Sequence, residues 1–155
     1  MSNILVCYFS ATGVTRSVAI NICKSLNCDL FEIEPKIKYT DNDLNWMDKQ
    51  SRSSIEMKNL KFRPKVLNKV SNLNNYDTII LGFPVWWYTA PTIINSFIEE
   101  NDLSLKKIYV FVTSGSSSEV KSFNDLKNEY PYLNFISCKR FTGFEESDIY
   151  KLWIK

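Results

Sequence analysis

The residues with the most chemical promise form the run Ser10-Ala11-Thr12-Gly13-Val14-Thr15. Ser10, Thr12 and Thr15 supply three hydroxyl donors, and Gly13 lets the backbone come close to a ligand. Ile4-Leu5-Val6-Cys7 precedes the run, and Val18, Ile22 and Leu26 follow it at four-residue spacing. That pattern predicts a strand, a turn, then a helix with one apolar side. The first turn of a helix leaves backbone N–H groups without partners and carries about half a positive charge. A phosphate binds there without help from a lysine. Ser and Thr also cap helices for purely structural reasons, so the chemistry depends on what else reaches the same place.

Two later turns have suitable chemistry. Phe83-Pro84-Val85-Trp86-Trp87-Tyr88-Thr89-Ala90-Pro91 sets three aromatics in succession, and they cannot all enter one core. At least one is expected at the surface, where its flat face stacks on a planar ligand for about 0.5–1.5 kcal/mol beyond area burial. The other arrangement open to them is a satellite hydrophobic cluster beneath the loop. Thr113-Ser114-Gly115-Ser116-Ser117-Ser118 carries no charge and suits N–H donation to an uncharged polar ring edge. Phosphate pocket, stacking wall and hydrogen-bonding rim together fit a mononucleotide with a large planar ring.

Competing phosphate chemistries lack their residues. There is no G-x-x-x-x-G-K-[ST] for a nucleotide triphosphatase and no G-x-G-x-x-G for a dinucleotide. A cysteine phosphatase needs an arginine six positions after its cysteine, where Cys7 has Gly13. A receiver domain needs acids closing the first strand, where this chain has Cys7-Tyr8-Phe9. The absence of histidine excludes His-based catalysis and most catalytic zinc sites. Cys7, Cys23, Cys28 and Cys138 have no metal-ligand spacing and suit reduced structural thiols. A net charge of +2 is too small to imply nucleic-acid binding. The 36–70 segment nevertheless holds nine Lys or Arg against four Asp or Glu, and is read as a solvated basic face.

The elements that must position these turns follow from the patterning. Strands are expected at 3–9, 29–33, 78–82, 107–113 and within 133–141, with helices at 14–26, about 93–101, about 119–128 and near the end of the chain. A weaker helix is read at 51–60, and Val66, Leu67 and Val70 are expected to pack as a short helix. Ile149, Leu152 and Trp153 should dock the last helix. Alternating strands and helices make an α/β, doubly wound parallel sheet with helices on both faces, whose ligands bind beyond the carboxyl ends of the strands. All three turns would then share one edge. At 155 residues the chain reads as one domain, 1–155, and no apolar run approaches the length of a membrane helix. A cytoplasmic protein with no membrane partner is expected.

The quoted turns, together with Tyr76-Asp77-Thr78-Ile79-Ile80-Leu81-Gly82 and Arg140-Phe141-Thr142-Gly143, resemble the flavodoxin family, specifically short bacterial members with a P-[IV]-W-W turn. The resemblance covers nearly the whole chain. It implies a five-stranded sheet in the order 2-1-3-4-5, noncovalent FMN and electron transfer. By that match Ser10, Ala11, Thr12, Gly13, Val14 and Thr15 would hold the phosphate. Pro84, Val85, Trp86, Trp87, Tyr88 and Thr89 would flank the isoalloxazine ring. Thr113, Ser114, Gly115 and Ser116 would reach its pyrimidine side, and Tyr39 matches a family tyrosine. Two departures bear on the site. Tyr88 stands where the family usually has glycine, so a peptide flip beside the flavin should be harder here. The family is usually strongly acidic and this chain is not.

Two functions fit. One is a low-potential electron carrier between a reductase or ferredoxin-type donor and an acceptor enzyme, with no catalytic residue of its own, acting as a monomer or weak dimer. The alternative is an FMN-dependent NAD(P)H oxidoreductase acting on quinones or similar small acceptors, for which Arg16, Lys36, Lys38 and Arg52 are candidate nicotinamide-phosphate contacts.

Overall fold

Five parallel strands form one sheet in the order β2-β1-β3-β4-β5 in a computed structural model that describes residues 3–154. The strands are β1 (Ile4–Tyr8), β2 (Asp29–Glu32), β3 (Thr78–Pro84), β4 (Lys107–Thr113) and β5 (Asn134–Arg140). The helices are α1 (Val14–Leu26), α2 (Arg52–Lys58), α3 (Thr92–Glu100), α4 (Val120–Glu129) and α5 (Ser147–Ile154). Alternating side chains of the buried strands divide the core in two. Leu5, Cys7 and Phe9, with Ile79, Leu81, Phe83, Val110 and Val112, pack with Ile93, Ile94 and Phe97 of α3. Val6, Tyr8, Ile80, Tyr109 and Phe111 pack with Val18, Ala19 and Ile22 of α1 and Tyr150 of α5. The doubly wound order expected from the sequence is the one observed.

Two expectations need correction. Val66 to Val70 is not a helix. Val66 forms an isolated antiparallel bridge with Pro35, and the Leu67 N–H donates to the Glu34 carbonyl at 2.8 Å while the Lys36 N–H donates to that of Lys65. Backbone groups engaged across the chain in this way are lost to a helical turn. Helix α5 docks through buried Tyr150 and half-buried Trp153, whereas Ile149 and Leu152 face outward. Cys7 is fully buried, and burial pushes its thiol well above the ordinary range. Cys23 and Cys28 meet at 3.3 Å across the C-terminal turn of α1, where Asn27 adopts the left-handed conformation.

No helix among the described residues is long and apolar enough to cross a membrane. Among the same residues no group of His, Cys, Asp or Glu is placed to hold a metal ion.

Gly82, opposite Tyr8 and Phe111 in the sheet, lets the Phe111 ring lie over β3. A Cβ there would fall 2.0 Å from Phe111 Cζ. Gly82→Ala should therefore destabilise the fold by about 3 kcal/mol or more, the upper end of overpacking costs. Urea denaturation checks this; a loss under about 1 kcal/mol would show that Phe111 moves aside freely.

Candidate functional site at the carboxyl edge of the sheet

Parallel pairing puts the ends of β1, β3 and β4 on one edge. Tyr8 lies beside Gly82, and Pro84 beside Thr113. Just beyond, the Phe9 N–H donates to the Gly82 carbonyl and the Val85 N–H to that of Thr113, each at 3.0 Å. The three turns of interest all depart from this line.

In the first turn the Gly13 N–H donates to Ser10 Oγ at 3.0 Å, folding residues 10–13 over the start of α1. Gly13 sits at φ 102°, a left-handed conformation that glycine reaches without the usual Cβ penalty. A Cβ there would meet nothing within 4 Å, so the turn opens onto free space. No side chain caps α1 at this position. The first N–H groups of the helix, from Val14 onward, are therefore aimed at the opening, the arrangement an anion requires. Thr12 is exposed beside them and Ser10 and Ala11 are half-buried, but Thr15 is buried. Its hydroxyl pairs with that of Thr113 at 2.7 Å, joining the first turn to the third.

The aromatic turn divides its three rings. Trp86 packs edge-on against Phe9 and Tyr39, with centroids 5.6 and 5.4 Å away, so it belongs to an anchored cluster. Trp87 and Tyr88 project outward, 41% and 68% exposed. Reciprocal hydrogen bonds between Trp86 and Thr89, 2.9 and 3.0 Å, close a two-residue hairpin loop. Trp87 and Tyr88 take φ values of 49° and 66° within it. Both central positions are thus left-handed, as a type I′ turn requires. The hairpin is held from outside by Thr89 Oγ1, which donates to Asp125 Oδ2 of α4 at 2.7 Å. Pro84 and Val85 are half-buried at its base.

In the third turn Gly115 and Ser116 are exposed, and a Cβ on Gly115 would also meet nothing within 4 Å. Ser114 Oγ instead donates to the Ser117 carbonyl. Arg140 at the end of β5 donates to the Ser114 and Gly115 carbonyls, both at 3.3 Å. With those carbonyls engaged, the turn is left with N–H groups to offer a ligand.

The 36–70 segment reaches the same edge through Tyr39. Its hydroxyl donates to Glu56 of α2, and Arg52 lies 3.8 Å over its ring while donating to Glu56 Oε2 at 2.9 Å. Burial, and then Glu56, push the Tyr39 phenol well above its ordinary range. Arg52 also holds the Ile37 and Lys38 carbonyls, which occupies it as a structural cation. Arg16 is paired with Glu32 at 2.6 Å. Arg16 and Lys38 line a cavity of about 170 Å³ with Phe9, Ser10, Ala11 and Tyr39, and the carboxylates of Glu32 and Glu34 line it too, so the formal charges beside the first turn balance. Phe9 and Glu32 were not singled out from the sequence; their only signal there is position, one residue past β1 and at the end of β2.

A family model described as Flavodoxin matches residues 3–155. The chain belongs to the flavodoxin family. It is similar to a protein assigned as a flavoprotein from Bacteroides eggerthii DSM 20697, 41% identical with a TM-score of 0.96 over 99% of this chain and 96% of that one. A flavoprotein from Lactobacillus acidophilus NCFM, solved in complex with FMN, shares the fold at 22% identity and a TM-score of 0.78 over the whole of both chains. Among curated proteins, an uncharacterized NAD(P)H oxidoreductase of Escherichia coli K12, YcaK, is 24% identical over 135 residues, 76% of this chain and 68% of its own.

The hairpin thus carries two non-glycine residues, Trp87 and Tyr88, in left-handed positions. A left-handed non-glycine residue costs roughly 1–2 kcal/mol, offset in part by the greater chain entropy of glycine when unfolded. Tyr88→Gly should raise folding stability by about 0.5–1 kcal/mol, read as a higher urea midpoint at unchanged slope. A lower midpoint would mean that the Tyr88 ring contributes more through packing than its conformation costs.

Proposed function

We propose that this protein binds FMN noncovalently at the carboxyl edge of its sheet and carries electrons between partner proteins. One observation carries the reading: three chemically distinct turns open along one line, with unpartnered N–H groups at α1, exposed aromatics after β3 and an N–H-lined loop after β4. Residues Ser10 to Thr15 would take the phosphate through backbone donors and the Thr12 hydroxyl. Trp87 and Tyr88 would flank the ring, with Trp86 and Tyr39 fixing the hairpin from behind. Gly115 and Ser116 would meet its pyrimidine edge. Bound FMN supplies a centre that accepts and releases electrons. Thr15 and Thr113 act by holding the first and third turns at a fixed separation. In this reading the donor and acceptor are separate proteins, a reductase and an acceptor enzyme.

The likeness to an NAD(P)H oxidoreductase supports a second reading, in which the nicotinamide reduces the flavin directly. Of the four side chains read as candidates for its phosphates, Arg16 is engaged by Glu32 and Arg52 by Glu56, while Lys36 and Lys38 are exposed. The two engaged arginines weigh toward the carrier.

Titration of the protein into FMN, followed by quenching of flavin fluorescence, should give one site with micromolar affinity or better. Riboflavin, which lacks the phosphate, should bind about a hundredfold more weakly, since charge-assisted hydrogen bonds contribute about 1.5–3 kcal/mol each. Equal affinity for the two would remove the phosphate role of the first turn. Anaerobic NADPH alone should bleach the visible band slowly, and a flavodoxin reductase should make bleaching fast. Rapid bleaching by NADPH alone would favour the oxidoreductase.

A further inference from the structure

Beside the aromatic hairpin lies a cavity of about 630 Å³ lined by Trp46, Met47, Lys49, Ser54, Met57, Lys58 and Trp87. Its size is that of a small-molecule site. Trp46 and Trp87, from separate stretches of chain, both line it. Met57 and Ser54 are buried and make its floor, and the Ser54 hydroxyl is already paired with that of Ser51 at 2.9 Å. Trp46 and Met47 are 70% and 74% exposed, a pair of large apolar side chains left in water on a segment otherwise rich in charge. Adjacent exposed apolar groups of this size mark a binding surface.

The charge lining is one-sided. Lys49 and Lys58 contribute the two ionised groups, and no carboxylate lines the cavity. Lys58 Nζ donates to the Lys49 carbonyl at 3.3 Å, which holds the Lys58 stem beside the Lys49 backbone. The segment is also fixed in place: Ser51 Oγ accepts from the Ser54 N–H at the start of α2, and the Arg52–Glu56 pair fastens α2 to Tyr39.

We propose that this cavity, which shares Trp87 with the proposed flavin site, is a further binding site that takes a flat aromatic anion of about two fused rings, its ring against Trp46 and Trp87 and its acid group at Lys49 and Lys58. Only the placing of this ligand next to a flavin rests on the proposed FMN binding; the site itself stands on the cavity.

Calorimetric titration with naphthalene-2-sulfonate and with the neutral naphthalene-2-sulfonamide tests the proposal on the purified protein, with and without FMN. The sulfonate is expected to bind one to one and about five- to tenfold more tightly than the sulfonamide, as suits exposed ion pairs. The double variant Lys49→Gln/Lys58→Gln should abolish that preference while leaving sulfonamide affinity unchanged. Trp46→Ala should weaken both ligands together. In FMN-loaded protein the bound sulfonate should perturb the visible flavin band. The proposal is overturned if the sulfonate gives no heat up to millimolar concentration, if the two ligands bind equally, or if the preference survives the lysine changes. Sedimentation showing a dimer that Trp46→Ala converts to monomer would overturn it as well. Flavin fluorescence on the same samples separates the two readings. Sulfonate binding without FMN binding sustains the cavity and sinks the cofactor, and FMN binding without sulfonate binding does the reverse.

Discussion

Parallel strand pairing is the constraint on which the rest depends. It sends every strand-to-helix turn to the same edge, so residues 75 and 100 positions after the first turn arrive beside it without any local signal directing them there. The Thr15–Thr113 hydroxyl pair then fixes the spacing across that edge. Both groups are buried, so leaving either one unpaired would cost about 1–3 kcal/mol. A hydroxyl that looks like a ligand donor in the sequence has become the brace between two loops that are themselves placed to donate.

Tyr39 shows how a segment with little regular structure is tied to this edge. Its ring meets Phe9 and Trp86, Arg52 covers it, and Glu56 receives its hydroxyl. A buried carboxylate is tolerated because an arginine and a phenol both donate to it. The basic character of residues 36–70 is therefore not uniform. Arg52 serves the fold, Arg63 bridges Glu99 and Glu129 on another face, and lysines such as Lys49 and Lys58 remain at the surface. Reading the segment as a solvated face holds for the lysines and misses the two arginines.

The fold was legible because strand and helix alternate with strong patterns, and because a β-branched run such as Thr78 to Leu81 has few alternatives to a central strand. The convergence of the three turns on one edge followed from that topology. What the sequence hid were choices made by tertiary packing. Val66 and Val70 carry helical spacing, yet the backbone around them is occupied by Glu34 to Lys36. Ile149 and Leu152 share an apolar pattern with Trp153, but Tyr150 fills the space above Phe141, with ring centroids 5.0 Å apart. Which of three successive aromatics would face water also depended on partners more than 30 residues away.

The aromatic hairpin is where local preference and global fold disagree, and such disagreements gather at functional sites. Glycine or asparagine would fill both left-handed positions at little cost, yet the chain places a tryptophan and a tyrosine there. They hold that conformation because both ends are pinned, Trp86 by Phe9 and Tyr39 and Thr89 by Asp125. Pinning the ends while exposing the middle presents two rigid aromatic faces at fixed angles. A relaxed loop would present neither, because its side chains would fold back onto the nearest apolar surface. The left-handed pair thus goes with a turn that keeps both rings at the surface.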